Sequence, residues 1–200
     1  MNLSKYDPMI PRTHAPFSSG SWIYEFKLDG YRLIAGRDSR AVGLRLRSGD
    51  SADQWFPEIC EELRSIKRNF VIDGEVCAFD QTGMPYFHAL ARRRRGSARA
   101  QLEFPVVLFA FDLLVFDSKD LRTEPIEKRK ACLADLLEGR NAAIRYVPHI
   151  QGQGLDLFLG AIEQGMEGVV AKRMGSPYRS GRTLDWLKFL NSSYRRRKLR

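Results

Sequence analysis

The sequence predicts an α+β domain of many short strands and a few helices. Three observations carry this. Short alternating or continuous apolar runs recur along the chain, bounded by glycine, proline or aspartate. Only three segments, 52–65, 125–137 and 155–164, have the apolar spacing of a helix. No segment repeats, which excludes a solenoid.

In order, residues 1–20 hold three prolines and little periodicity, and read as an extended lead-in. Ser21 to Gly36 reads as two strands joined at the turn dipeptide Asp29-Gly30. Val42 to Arg47 is a third strand. In Ala52 to Ser65, Trp55, Ile59, Glu62 and Leu63 have helical spacing, with Pro57 near the start. Asn69 to Asp80 reads as strand, turn, strand around Asp73-Gly74. Arg92 to Arg95 is a basic run expected in a loop. Phe104 to Phe116 is a nearly continuous apolar run that fits a buried strand pair. Pro125 opens a helix running to Leu137, with Ile126, Leu133 and Leu136 on its apolar positions. A helix at Leu155 to Gln164 and strands at Gly168 to Lys172 and Trp186 to Leu190 complete a main domain at 21–190. Residues 191–200 form a basic tail.

The net charge is +9, which favours a polyanionic partner such as nucleic acid. A membrane partner is not expected. The longest apolar run is interrupted by Asp112 and falls short of the ~20 residues of a spanning helix, and the N-terminus lacks the apolar stretch of a signal peptide. Cys60, Cys77 and Cys132 form no metal-spaced pair and read as reduced cysteines of a cytoplasmic protein.

Five clusters carry chemistry-bearing side chains. In Glu25-Phe-Lys-Leu-Asp-Gly-Tyr-Arg32, alternation sends Glu25, Lys27 and Asp29 to one face. Lys27 is a candidate amine nucleophile among carboxylates; the plain alternative is a solvated hairpin. In Phe70-Val-Ile-Asp-Gly-Glu-Val76, Glu75 is suited to a ribose hydroxyl or a metal-bound water, or is merely part of a turn. In Phe109-Ala-Phe-Asp-Leu-Leu114, Asp112 must be paired or functional, and Phe111 offers a ring face to a nucleobase or to the core. In Met166 to Arg173, alternation separates Glu167, Val169 and Ala171 from Gly168, Val170 and Lys172. Lys188 follows Trp186 in the last strand.

The order and spacing of these clusters resemble the covalent nucleotidyltransferases, a family that includes ATP-dependent DNA ligases, RNA ligases and mRNA-capping enzymes. The Lys-x-Asp-Gly-x-Arg motif stands at Lys27, Asp29, Gly30 and Arg32. Asp-Gly-Glu stands at Asp73 to Glu75, aromatic-Asp at Phe111 and Asp112, and Glu-Gly-Val-Val-x-Lys at Glu167 to Lys172. Trp186 and Lys188 match the final motif. Met84-Pro-Tyr-Phe-x-x-Leu90, Pro125 to Arg129 and Ser176 to Arg182 are similar to bacterial ligases of the end-joining type.

The resemblance implies largely antiparallel sheets with flanking helices. It implies ATP as cofactor with Mg²⁺ or Mn²⁺, and nicked or double-strand-broken DNA as substrate, in the bacterial cytoplasm at the nucleoid. An end-binding protein and separate polymerase and nuclease modules are the implied partners. Lys27 is the implied nucleophile, forming a lysyl-AMP. Arg32 and Glu75 would hold the ribose, Phe111 would stack on adenine, and Val170 or Val169 would close its other side. Glu25 and Arg47 would complete the nucleotide site, Lys172 and Lys188 would lie along the α-phosphate, and Glu75 and Glu167 would place the metal. Two departures bear on activity. Leu190 occupies the place of a second lysine, which is expected to slow the chemistry. Ten residues after Leu190 leave no room for an oligonucleotide-binding barrel in this sequence. Both departures lend weight to a different reading, a ligase-derived nick- or end-binding module with little or no catalysis.

Overall fold

Strand alternation builds two sheets that face each other, each with its outer side covered by helices. The computed structural model describes residues 1–95, 103–140 and 142–196. The first sheet has the order β1-β11-β10-β2-β9, with β1 at Met9–Thr13, β2 at Trp22–Phe26, β9 at Ile150–Gln151, β10 at Gly168–Arg173 and β11 at Gly181–Leu190. The second has the order β4-β3-β5-β6-β7, with β3 at Tyr31–Arg37, β4 at Val42–Leu46, β5 at Phe70–Ala78, β6 at Val106–Phe116 and β7 at Lys119–Asp120; β8, Ile144–Tyr146, joins β6. β1 with β11 and β6 with β8 run parallel, and the other pairs antiparallel.

Helices α1 (Pro57–Ser65), α2 (His88–Arg94) and α3 (Ile126–Leu136) contribute to the core outside the second sheet, where Ile59, Leu63, Leu90 and Leu133 meet Leu33, Ile72 and Leu108. Helix α4 (Gly154–Glu163) covers the first sheet, Ala161 packing with Tyr24, Val169 and Phe189. A third cluster fills the space between the sheets, where Ile23 and Trp186 meet Ile34, Val71, Phe111 and Leu114. Both faces of β6 are therefore buried, which explains its continuous apolar sequence.

Four expectations need correction. Asp29-Gly30 is not a hairpin turn: β2 and β3 belong to different sheets, and residues 27–30 carry the chain across. Gly30 is required by close approach instead, since a Cβ there would lie 2.1 Å from the Val76 carbonyl oxygen. Asp73-Gly74 is no turn either. It lies inside the nine-residue β5, where the register against β6 shifts and a Cβ on Gly74 would lie 2.7 Å from the Phe109 carbonyl oxygen. Phe104 to Phe116 contains one strand rather than a pair. The basic run belongs to α2 and its C-terminal end rather than to a loop, and Arg93 is fully buried. Its guanidinium donates to the carbonyls of Phe104 (2.8 Å) and Trp55 (3.3 Å) and pairs with Glu58 at 2.6 Å.

The expected lead-in holds β1 and buries Leu3, Tyr6 and Met9. The first helix begins at Pro57, whose missing N–H costs nothing in a first turn. Cys60 and Cys77 are buried, Cys132 is half-buried, and all three are free thiols.

Candidate active site

Alternation determines which side chains face the space between the sheets. On β10, Val169 and Ala171 pack towards α4, so Val170 and Lys172 point inward. On β11, Leu187 and Phe189 pack outward, leaving Trp186 and Lys188 inward. β2 contributes Glu25, β3 Arg32, β5 Glu75 and β6 Phe111. Lys27 lies just past the end of β2, where the chain crosses between sheets. Its backbone N–H donates to the Gly168 carbonyl at 2.8 Å, and its ammonium lies 2.7 Å from Glu167.

Two cavities meet at this lysine. The inner one, about 70 Å³, is lined by Glu25, Phe111, Val170, Lys172 and Trp186. The outer one, about 430 Å³, is lined by Arg47, Arg94 and Lys188. Lys27, Arg32 and Glu75 border both. Glu167 borders a neighbouring cavity with Lys27 and Asp29. The structure thus brings together every residue singled out for nucleotide or metal, apart from Val169, the other candidate for the second face of the base. Val169 is buried against α4.

Glu25 is buried between two ammonium groups. Lys130 of α3 donates to one oxygen, and Lys172 meets the other at 2.7 Å. Burial alone would raise this carboxyl; the two lysines outweigh it and hold Glu25 below the usual range. Burial pulls the Lys172 ammonium down to about 8, with Glu25 opposing. That ammonium lies 4.4 Å from the ring centres of both Phe111 and Trp186. Arg32 forms a fork with Asp73 (2.5 and 2.6 Å) and lies 4.4 Å above Phe111. Phe111 itself is only 8% exposed, and both cations lie over its ring. Trp186 also lines the inner cavity, and among the described residues its buried indole N–H has no hydrogen-bond partner.

Glu75 accepts a hydrogen bond from the Gly30 N–H at 3.1 Å. Burial raises its carboxyl to about 7; Arg32 and Lys27 oppose the rise and Glu167 adds to it. A carboxyl raised from 4.5 keeps a proton that the unfolded chain has lost, so the fold loses stability as pH rises from about 4.5 to about 7. Glu75→Gln removes that loss. Without nucleotide or metal, its melting temperature should exceed the wild type's at about pH 8 and match it near pH 4. A variant melting below the wild type at pH 8 contradicts this.

Several site-shaping residues were missed. Lys130 gave no signal, because one lysine among several on a helix reads as solvated. Asp112 resolves as paired: Arg129 forks onto it at 2.7 and 2.9 Å with both groups fully buried. Asp29 accepts bonds from Tyr194 (2.8 Å) and Arg196 (2.8 and 2.9 Å), so the start of the basic tail packs beside Lys27. Lys188 and Leu190 share a strand face, as alternation requires. However, the cavity lining includes Lys188 and not Leu190, which is 42% exposed. Sharing a strand face with Lys188 therefore does not bring Leu190 to the cavity wall.

Residues 2–189 match the family described as ATP dependent DNA ligase domain. The chain is 36% identical over 172 residues to the multifunctional non-homologous end joining protein LigD of Pseudomonas aeruginosa, covering 84% of this chain and 20% of that protein. It is 32% identical over 180 residues to the SPbeta prophage-derived DNA ligase-like protein LigB of Bacillus subtilis, covering 90% and 64%. Among solved structures, a mycobacterial DNA ligase D complexed with ATP and MES aligns with a TM-score of 0.81 at 28% identity, over 95% of this chain and 62% of that one. The chain therefore belongs to the ATP-dependent DNA ligase domain family, with the ligase nucleotidyltransferase fold of largely antiparallel sheets and flanking helices. It spans about a fifth to a quarter of the LigD proteins it matches.

Proposed function

We propose that this domain takes AMP from ATP onto Lys27 and passes it to the 5′-phosphate of nicked or broken DNA, as the adenylation module of a repair ligase. The observation that carries this is the place of Lys27. It stands between an inner cavity where Phe111, Trp186 and Val170 sit beside the charged Glu25 and Lys172, and an outer cavity lined by Arg47, Arg94 and Lys188.

The Lys27 ammonium first gives a proton to solvent; its amine then attacks the α-phosphorus of ATP, a P–N bond forms, the P–O bond to the β-phosphate breaks, pyrophosphate leaves, and the nitrogen releases a second proton to solvent. Phe111 and Val170 hold the base. Arg32 and Glu75 hold the ribose. Lys172 on the inner side and Lys188 on the outer side flank Lys27 and balance charge on the α-phosphate. Glu167, which pairs with Lys27, and Glu75, which borders the same cavities as Lys27, would hold a divalent cation, Mg²⁺ or Mn²⁺. When bound, the metal neutralises phosphate charge. Among the described residues no group of three or more His, Cys, Asp or Glu side chains gathers. A module without catalysis is the weaker reading, because Lys27, Glu75 and Lys188 all reach the cleft.

The net charge of +9 draws this module to DNA, where an end-binding protein, polymerase and nuclease are the expected company. Affinity for nicked duplex should fall roughly tenfold or more between about 50 and 200 mM salt; flat binding contradicts phosphate contacts. The function itself is tested with labelled ATP and Mg²⁺, then a nicked duplex carrying a 5′-phosphate. Label should enter the protein covalently and then move to the DNA 5′ end. Protein that takes up no covalent label overturns the proposal.

A further inference from the structure

Arg94 plays no part in the reading above, yet it borders the outer cavity with Lys27, Arg32, Arg47, Glu75 and Lys188. Five cations face one carboxylate there. Two are already engaged, Lys27 by Glu167 and Arg32 by Asp73. Arg94 is held more loosely. Among the described residues its ion pair is with Asp50 at 3.7 Å, beyond hydrogen-bond reach, and its guanidinium lies 5.3 Å from the Trp55 ring centre. The side chain is half-exposed, so its donors are open to an anion.

Its position is nevertheless determined. Arg93, the preceding residue, is fully buried and anchored to Phe104, Trp55 and Glu58, which fixes the end of α2 at the cavity. Arg47 stands on the tight turn after β4, the turn that also carries Asp50, the partner of Arg94. There its backbone N–H donates to the Arg32 carbonyl at 3.1 Å, and Gly49 adopts φ +99°.

We infer that Arg94, with Arg47, forms the subsite for the β- and γ-phosphates of the nucleotide and for the pyrophosphate that leaves. The inference rests on the proposed adenylation. With the base in the inner cavity and the α-phosphate at Lys27, the remaining phosphates extend into the outer cavity. A guanidinium is matched to a phosphate by charge and by its planar fork.

The reverse reaction isolates this subsite. A pyrophosphate oxygen attacks the phosphorus of lysyl-AMP, a P–O bond forms, the P–N bond breaks, and the Lys27 nitrogen takes up two protons as ATP is released. Protein already carrying AMP is freed of ATP, then titrated with pyrophosphate in Mg²⁺, and released ATP is measured. Arg94→Ala should raise the half-saturating pyrophosphate concentration by roughly tenfold or more. Arg94→Lys should recover part of the loss. Arg92→Ala, on the same helix but outside the cavity lining, should change nothing. Transfer of AMP from the preformed adduct to nicked DNA should weaken less than pyrophosphate use for Arg94→Ala, because the 5′-phosphate attacks in line from the place pyrophosphate leaves but is held also by the rest of the duplex. An unchanged pyrophosphate dependence overturns the inference. So does slowed transfer to DNA with normal pyrophosphate use, which would give Arg94 to the DNA backbone. A wild type that forms no adduct overturns the adenylation reading itself, and is seen before any variant is compared.

Discussion

Lys27→Arg should abolish covalent capture of AMP, lowering its rate by on the order of 10⁴-fold or more, while changing ATP affinity only a few-fold. The two side chains carry the same charge, and both can pair with Glu167, which meets Lys27 at 2.7 Å. They differ in chemistry. A lysine can shed its proton and expose a nitrogen lone pair, whereas a guanidinium stays protonated and delocalised at any pH the fold survives. Substitution by arginine therefore removes the nucleophile and keeps the electrostatics of the junction between the cavities. Single-turnover labelling measures the first effect and equilibrium ATP binding the second. A loss of ATP binding equal to the loss of rate would mean that Lys27 only attracts phosphate.

The second large effect is on stability. Lys130→Met should cost about 3–5 kcal/mol, because it leaves the buried Glu25 carboxylate with one partner instead of two and leaves the Val147 carbonyl without the Lys130 donor, now at 3.0 Å. For a chain of this size that lowers the melting temperature by roughly 6–20 °C. Met fills nearly the same space, so lost volume is not the cause. The companion Glu25→Gln, Lys130→Met double variant removes the charge that Lys130 was balancing. It should be clearly more stable than the sum of the two single effects implies. Simple additivity in thermal melts would show that the pair is not coupled, and that Lys130 acts through packing alone.

The inward and outward faces of β10 were legible because a half-buried strand alternates, and alternation survives without knowledge of its neighbours. Val170 and Lys172 fell on one side and Val169 and Ala171 on the other, as the structure has them. The two Asp-Gly pairs misled for a physical reason. Glycine serves a turn and a close backbone approach equally well, and only the tertiary neighbours, the Val76 and Phe109 carbonyls, distinguish the two uses. Arg93 and Lys130 were illegible because charge normally marks a solvated face; their burial depends on acceptors 11 to 105 residues away. β1 pairs in parallel with β11, a strand some 170 residues later, and no local pattern announces such a partner. At the site, the residues that resemblance singled out converge, while the network that holds them, Lys130, Asp73, Tyr178 and Tyr194, was visible only in three dimensions.

The most direct test of the account is the location of the AMP. Protein incubated with ATP and Mg²⁺ is digested under mildly alkaline conditions, which spare a phosphoramide, and the modified peptide is fragmented to the residue. The account predicts AMP on Lys27 alone, absent from Lys27→Arg. AMP on Lys172 or Lys188, or an adduct that persists in Lys27→Arg, would contradict it.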